Sequence, residues 1–270
     1  GLGWPAIARD RHTLISAPTG SGKTLAAFLF CIDRLFRASI EKELPDAAHV
    51  VYVSPLKALS NDIHRNLSVP LQETLRLAER KGLHVPEIRV ALRTGDTPAH
   101  ERQARARKPP HIWITTPESF YILLTSESGR RSLSGVRTLI LDEIHSIAGN
   151  KRGSHLSISV ERLCDLVGEP VTRIGLSATL SPIEEAARLL VGTAGIGAGG
   201  KPDCTIIDAG RIRDMDLQLE MPGAELGPIA TLELWDETVS RVADLVRQHC
   251  STLVFVNTRR LVERVAHQLS

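Results

Sequence analysis

Lys23 and Thr24 close the string Ala17-Pro18-Thr19-Gly20-Ser21-Gly22-Lys23-Thr24. Gly20 and Gly22 allow backbone shapes and close approaches that a Cβ would hinder. In such a turn several N–H groups can converge on anionic oxygens, helped by the dipole of a helix that opens there. Lys23 would reach β- and γ-phosphates as a flexible point charge, and Thr24 would place a hydroxyl on Mg²⁺. Pro18, Thr19, Gly20, Ser21 and Gly22 would form the cradle. The usual pattern begins with Gly, whereas here Ala17 holds that slot. A second chemical pair, Asp142-Glu143, ends the apolar run Thr138–Leu141. One carboxylate can hold Mg²⁺, usually through water because that ion dehydrates reluctantly. Its neighbour can orient or deprotonate an attacking water. Alone, the first string could be a glycine turn with a chance Gly-Lys-Thr, and the second an exposed pair capping a strand. Together they describe phosphoryl transfer, which asks for positioning and charge stabilisation, with phosphate groups and Mg²⁺ as ligands.

The surrounding pattern supplies the elements that would position these residues. Thr13-Leu14-Ile15 leads into the first string, and Leu25, Phe28, Leu29, Ile32 and Leu35 follow at helical spacing. Strands are expected at 49–53, 88–92, 112–114, 138–141, 173–176, 205–207 and 252–256, with helical faces between most of them. The helix marked by Ile63, Leu67 and Leu71 is expected to break near Pro70. Strands alternating with helices imply an α/β fold with a mainly parallel sheet flanked by helices. All strand carboxyl ends then share one edge, where ligands of such sheets bind. Ser54-Pro55, Thr97-Pro98, Thr116-Pro117 and Ser181-Pro182 place an N-cap hydroxyl before a first-turn proline along that edge. Residues 191–201 read as a surface loop, and 211–228 as an extended stretch and linker. A domain boundary is expected near residue 225, giving domains 1–225 and 226–270, the second being only an opening.

With 42% hydrophobic residues, the 270-residue chain can bury a core. A net charge of +2 gives little information about partners, since a local basic stripe would be hidden in the total. Cys31, Cys164, Cys204 and Cys250 are far apart and read as small buried residues of a reducing compartment. No signal peptide or 18-residue apolar run is present, so a soluble cytoplasmic protein without membrane contact is expected. The chain starts without Met and ends inside a helical pattern, which predicts a piece of a longer protein.

APTGSGKT, SPLKALSND, TTPESF, DEIH, LSATL and VFVNTRR resemble, in order, motifs I, Ia, Ib, II, III and IV of superfamily 2 helicases. GWPAI, SPLKAL, DEIHSIAGNKRGSHL and LSATL resemble the bacterial large helicase-related (Lhr) proteins, which are ATP-driven translocases of single-stranded DNA. The resemblance covers the whole chain. It implies a first RecA-like P-loop NTPase domain plus the start of a second. It also implies that Lys23 and Thr24 bind phosphate and Mg²⁺, that Asp142 joins the metal site, and that Glu143 is the catalytic base. His145, Ser177, Ala178 and Thr179 would couple the nucleotide site to nucleic acid. Pro55, Leu56, Lys57 and Ala58, then Gly95, Asp96 and Thr97, then Thr115, Thr116, Pro117 and Glu118 would hold the strand through hydroxyls and helix N-termini. Such phosphate contacts are independent of sequence. Arg259 in the motif IV match would contact nucleic acid or face solvent, while Arg102, Arg105, Arg107 and Lys108 read as a solvated basic face. The family's adenine-recognising glutamine segment is expected upstream of Gly1, and motifs V and VI and the winged-helix domain beyond Ser270.

The expected partner is single-stranded DNA or a DNA-containing duplex, with no stable protein partner implied and a role in DNA repair. A Ski2-like motor on RNA carries the same motifs, and only the 2′-hydroxyl separates the two. A kinase or metabolic ATPase gives no reason for SPLKAL, TTPESF and SAT. A non-catalytic nucleotide clamp gives none for the Asp142-Glu143 pair.

Overall fold

A computed structural model describes residues 4–18, 20–42, 44–55, 57–83, 86–178, 182–210, 216–221 and 231–269, with the side chains of 57–66 outside that description. The strands are β1 (Thr13–Ser16), β2 (Val50–Val53), β3 (Val90–Arg93), β4 (Ile112–Thr115), β5 (Thr138–Leu141), β6 (Thr172–Ser177) and β7 (Thr205–Asp208). The α-helices are α1 (Trp4–Ile7), α2 (Lys23–Glu41), α3 (Lys57–Arg80), α4 (Ala99–Arg107), α5 (Pro117–Thr125), α6 (Glu127–Leu133), α7 (Lys151–Val167), α8 (Ile183–Val191), α9 (Leu232–Gln248) and α10 (Arg259–Leu269). The strand order is β3-β4-β2-β5-β6-β1-β7, and every pairing is parallel.

Five of the strands, β1, β2, β4, β5 and β6, are buried along their full length, because helices cover both faces of the sheet. Side-chain alternation divides them between two cores. Val51, Val53, Trp113, Leu139 and Leu141 pack with Phe120, Leu123, Leu156, Val160 and Leu190 of α5, α7 and α8. Val50, Tyr52, Ile112, Ile114, Ile140 and Ile174 pack with Phe28, Ile32, Leu35, Leu67 and Leu71 of α2 and α3. Each large apolar side chain so buried contributes about 1.5–3 kcal/mol relative to leaving it exposed. Gly175 sets the depth at which α8 sits. A Cβ there would lie 2.8 Å from Leu14 Cδ1 and 3.0 Å from Leu190 Cδ2.

Four expectations are corrected. The helix at Pro70 does not break: α3 runs through it for 24 residues. Burial of Leu67 and Leu71 holds both sides of the proline on the sheet, and Thr74 Oγ1 bonds the Pro70 carbonyl at 2.7 Å. Leu25 is exposed, and the buried stripe of α2 is Ala27, Phe28, Cys31, Ile32 and Leu35. Cys250 is exposed rather than buried. Residues 252–256 form no strand, because no neighbour pairs with them among the described residues.

The chain divides into two compact units, Gly1–Ile212 and Arg213–Ser270. The sheet and both cores belong to the first. In the second, Trp235 Nε1 donates to Gln268 Oε1 at 2.6 Å, and the Arg264 guanidinium lies 4.4 Å from the Trp235 ring centre. No described residue of that unit is buried, and Leu253 and Phe255 are almost fully exposed. Most of the stretch read as an extended linker, at 211–215 and 222–228, and Ser181 of the last Ser-Pro pair lie outside the described residues.

Candidate nucleotide and nucleic-acid site

The turn from β1 into α2 has the shape its glycines suggest. Gly20 and Gly22 take φ of 82° and 80°. A Cβ at either would meet nothing within 4 Å, so the need for glycine is conformational rather than steric. Gly22 is the N-cap of α2, and no side chain caps its first turn. Those N–H groups remain available to an anion. Lys23 is buried at the base of the turn, with Nζ 3.3 Å from the Ala17 carbonyl. Ala17 is itself tied to β6, its N–H donating to the Ser177 carbonyl at 3.1 Å.

Asp142 follows β5, two strands from β1 in the sheet, yet its carboxylate reaches the same point. Thr24 Oγ1 donates to Asp142 Oδ2 at 3.3 Å, and the Glu143 N–H donates to Oδ1 at 2.7 Å. The Tyr52 hydroxyl donates to Oδ2 as well. Glu143 occupies the left-handed region at φ 49°, a strained shape for a non-glycine residue of the kind that gathers at functional sites. Its Oε2 lies 3.3 Å from His145 Nε2. On the other side of the ring, the Ala178 N–H donates to Nδ1 at 3.2 Å, and Ser177 Oγ is 3.3 Å away. A ring nitrogen that accepts from a backbone N–H carries no proton, so this network assigns the proton to Nε2, facing Glu143. The end of β6 and the acidic pair are therefore joined through a single imidazole.

The three segments expected to bind nucleic acid follow β2, β3 and β4 at the same carboxyl edge. Their threonine hydroxyls, expected to hold phosphates, are engaged internally. Thr115 is fully buried and donates to the Arg93 carbonyl at 2.8 Å. Thr97 closes its own turn by accepting from the Thr94 N–H at 2.9 Å. Thr116 caps α5 by accepting from the Ser119 N–H at 3.4 Å, with Pro117 in the first turn. Gly95 and Asp96 are exposed at the tip of their turn. The Thr94 and Ser119 N–H groups are themselves taken up by these hydroxyls. Of the basic helix residues, Arg105 bonds Glu101 at 2.6 Å and also the Leu92 carbonyl. Thr19, Leu56 and Thr179 lie outside the described residues, as do the side chains of Lys57 and Ala58. Arg259 is the exposed first residue of α10, in the second unit.

Sequence reasoning gave Arg152 no role, although it lies within the DEIHSIAGNKRGSHL string. Its Nε donates to Glu118 Oε1 at 2.8 Å and its Nη2 to the Pro55 carbonyl at 3.0 Å. It so joins the Pro55 turn and the start of α5 to the helix that follows Asp142-Glu143. Burial, the largest influence, would raise the Glu118 pKa, but the hydrogen bond from Arg152, the backbone N–H, the Arg152 charge and the Thr116 hydroxyl together outweigh it and hold the carboxyl below its ordinary value. Gly153 beside it allows α7 to begin against the DEIH segment, since a Cβ there would sit 2.0 Å from the Ile147 carbonyl oxygen. Gly153→Ala is expected to cost on the order of 1–3 kcal/mol by forcing backbone apart. Thermal unfolding compared with an exposed control such as Gly149→Ala, where a Cβ meets nothing within 4 Å, checks it.

The family profile described as DEAD/DEAH box helicase matches residues 3–187. This chain belongs to the DEAD/DEAH box helicase family. Among its helicase relatives, "Lhr helicase/ probable uracil glycosylase" of Mycolicibacterium smegmatis is 46% identical over 99% of this chain and 17% of its own length. "ATP-dependent helicase Lhr-Core" of Methanothermobacter thermautotrophicus is 47% identical over 97% of this chain and 30% of its own length. The solved structure of the Mycobacterium smegmatis helicase Lhr bound to ssDNA and AMP-PNP superposes with a TM-score of 0.81 at 45% identity. That match covers 98% of this chain and 32% of the solved one. The parallel sheet is accordingly a RecA-like helicase fold, and the chain spans under a third of the length of these curated relatives.

Proposed function

We propose that this chain carries the nucleotide-hydrolysing part of an Lhr-type motor, coupling ATP hydrolysis to movement along single-stranded DNA and to duplex unwinding. The observation that carries the reading is the convergence of Lys23, Thr24, Asp142 and Glu143 at one edge, with His145 linking Glu143 to Ala178. Pro18 to Thr24 cradle the phosphates, Lys23 neutralises them, and Glu143 orients and deprotonates the attacking water. His145, Ser177, Ala178 and Thr179 relay strand binding to Glu143.

Mg²⁺ suits the residues present. Thr24 Oγ1 and Asp142 Oδ2 meet at 3.3 Å, and no group of three or more metal-ligating His, Cys, Asp or Glu side chains gathers among the described residues. That is the donor set of a cation that takes most of its ligands from phosphate and water. When bound, the ion would neutralise charge developing on the phosphates. Thr24 and Asp142 would hold it.

For nucleic acid, the proposed track comprises Pro55 to Ala58, Gly95 to Thr97 and Thr115 to Glu118; Arg259, in the second unit, is proposed separately as a nucleic-acid contact. Within it Glu118 repels phosphate and serves by holding Arg152. Domains 1–225 and 226–270 remain our division into a first RecA-like domain and the opening of a second. No described helix is long and apolar enough to cross a membrane, and the four cysteines are free. A cytoplasmic setting fits both. DNA repair is the process we propose, on the Lhr resemblance alone.

Residues 1–270 alone are expected to turn over ATP poorly, for want of the second-domain arginines. The reading is therefore tested by ATP turnover with and without matched DNA and RNA strands in a protein of the relatives' full length that carries this chain. Stimulation by DNA over RNA is expected, equal or greater stimulation by RNA favours a Ski2-like motor, and flat turnover removes nucleic acid from the function. Affinity for single strands should fall steeply with salt and vary little with sequence. Lys57→Ala is expected to weaken binding uniformly across sequences and to reduce the salt slope by about 1. A sequence-selective loss would place Lys57 elsewhere.

A further inference from the structure

An apolar strand between two helical layers has no need of a phenol, yet Tyr52 sits at 0% exposure in β2. Its ring does the packing expected of phenylalanine, 5.0 Å between centres from Phe28. Its hydroxyl does something else. Tyr52 lies opposite Ile140 in the β2–β5 register, and the two-residue alternation of a strand brings Asp142 onto the same face. The Tyr52 hydroxyl donates there, to Asp142 Oδ2. Asp142 is 2% exposed, and polar oxygens so buried need hydrogen-bond partners. The described donors are Tyr52, Thr24 and the Glu143 N–H. The Ser54 hydroxyl is bonded to the Tyr52 phenol, and the Ser54 N–H donates to the Thr115 carbonyl at 3.0 Å. A line of hydrogen bonds thus runs from the Ser54-Pro55 turn to the acidic pair.

We propose that Tyr52 is a positioning residue for the metal-binding carboxylate: its hydroxyl, steadied by Ser54, fixes the Asp142 rotamer in which Oδ2 faces Thr24. The proposal rests on the reading that Asp142 serves Mg²⁺. Partners of this kind, one bond removed from the metal, typically change metal affinity by about 10- to 100-fold when removed. Tyr52 would then tie the geometry of the first strand-binding turn to the readiness of the nucleotide site for its cation.

The test is calorimetric binding of AMP-PNP by the full 270-residue chain across a Mg²⁺ titration, repeated in EDTA. Tyr52→Phe keeps the ring and its packing on Phe28. The expected result is a Mg²⁺ midpoint raised about 10-fold with unchanged affinity in EDTA, because the phosphate cradle is intact. Ser54→Ala should shift the midpoint in the same direction by less. An unchanged midpoint in Tyr52→Phe, or an equal loss of affinity with and without Mg²⁺, overturns the proposal. Asp142→Asn is run beside them. If it too leaves the Mg²⁺ dependence unchanged, the assignment of Asp142 to the cation has failed rather than the role of Tyr52.

Discussion

Glu143→Gln is expected to bind ATP with near wild-type affinity and to hydrolyse it about 10²–10⁴-fold more slowly, the span general-base removal usually covers. Glutamine has almost the same shape, and its side-chain oxygen can still accept from His145 Nε2, which lies 3.3 Å from Glu143 Oε2 in the native protein. What it loses is the capacity to take a proton. Because Asp142 and its hydrogen bonds to Thr24 and to the residue-143 N–H are untouched, the nucleotide should still be held. Lys23→Ala should give the reverse order of defects. The ammonium is buried against the Ala17 carbonyl, at the centre of the cradle, and its removal should weaken binding before chemistry can be measured. Single-turnover hydrolysis, paired with equilibrium nucleotide binding, separates the two. Wild-type turnover in Glu143→Gln would remove Glu143 from the role of base.

The strands and the glycine turn before α2 were legible because their signals are local. An apolar run ending in Gly-rich or acidic residues needs no partner to be recognised, and alternation of strands and helices dictated the parallel sheet and its shared edge. Non-local features were not legible. Tyr52 reads as one more apolar strand residue until the β2–β5 register places it against Asp142. Arg152 reads as an ordinary helix-start arginine until it is seen joining Glu118 to Pro55. The helicase resemblance points the hydroxyls of Thr97, Thr115 and Thr116 at phosphates, while the pairs Thr97-Pro98 and Thr116-Pro117 read as helix caps. In fact each closes a bond within its own edge. Pro70 misled for a related reason: local propensity argued for a break, and burial on the sheet overrode it. Residues 252–256 have strand composition, but a strand is defined by its neighbour, and among the described residues none pairs with them.

Acidification from pH 7 to about pH 4.5 is expected to remove roughly 2–3 kcal/mol of stability through His111 alone. His111 precedes β4 and is 2% exposed. Its Nδ1 accepts from the Arg89 N–H at 3.3 Å, which puts the proton on Nε2, and Nε2 has no hydrogen-bond partner among the described residues. Burial, followed by the charges of Arg89, His49 and Lys108, pulls its pKa down to about 4, with Asp46 opposing. The folded-state pKa thus lies below the unfolded value near 6.5. The unfolded chain binds its proton first as pH falls, so stability is lost between about pH 6.5 and pH 4 and is fully present above that range. His49, whose ring centre lies 6.1 Å away, is shifted in the same direction by burial and Arg137, and deepens the loss. His111→Asn offers an acceptor for the Arg89 N–H without a titrating ring. Urea unfolding at the two pH values can be followed by the fluorescence of Trp113, which is buried two residues further along. The variant should be less stable than wild type at pH 7, yet lose about 2–3 kcal/mol less on acidification. Equal losses in the two proteins would mean that His111 is already charged in the folded state, or that other groups dominate the acid limb.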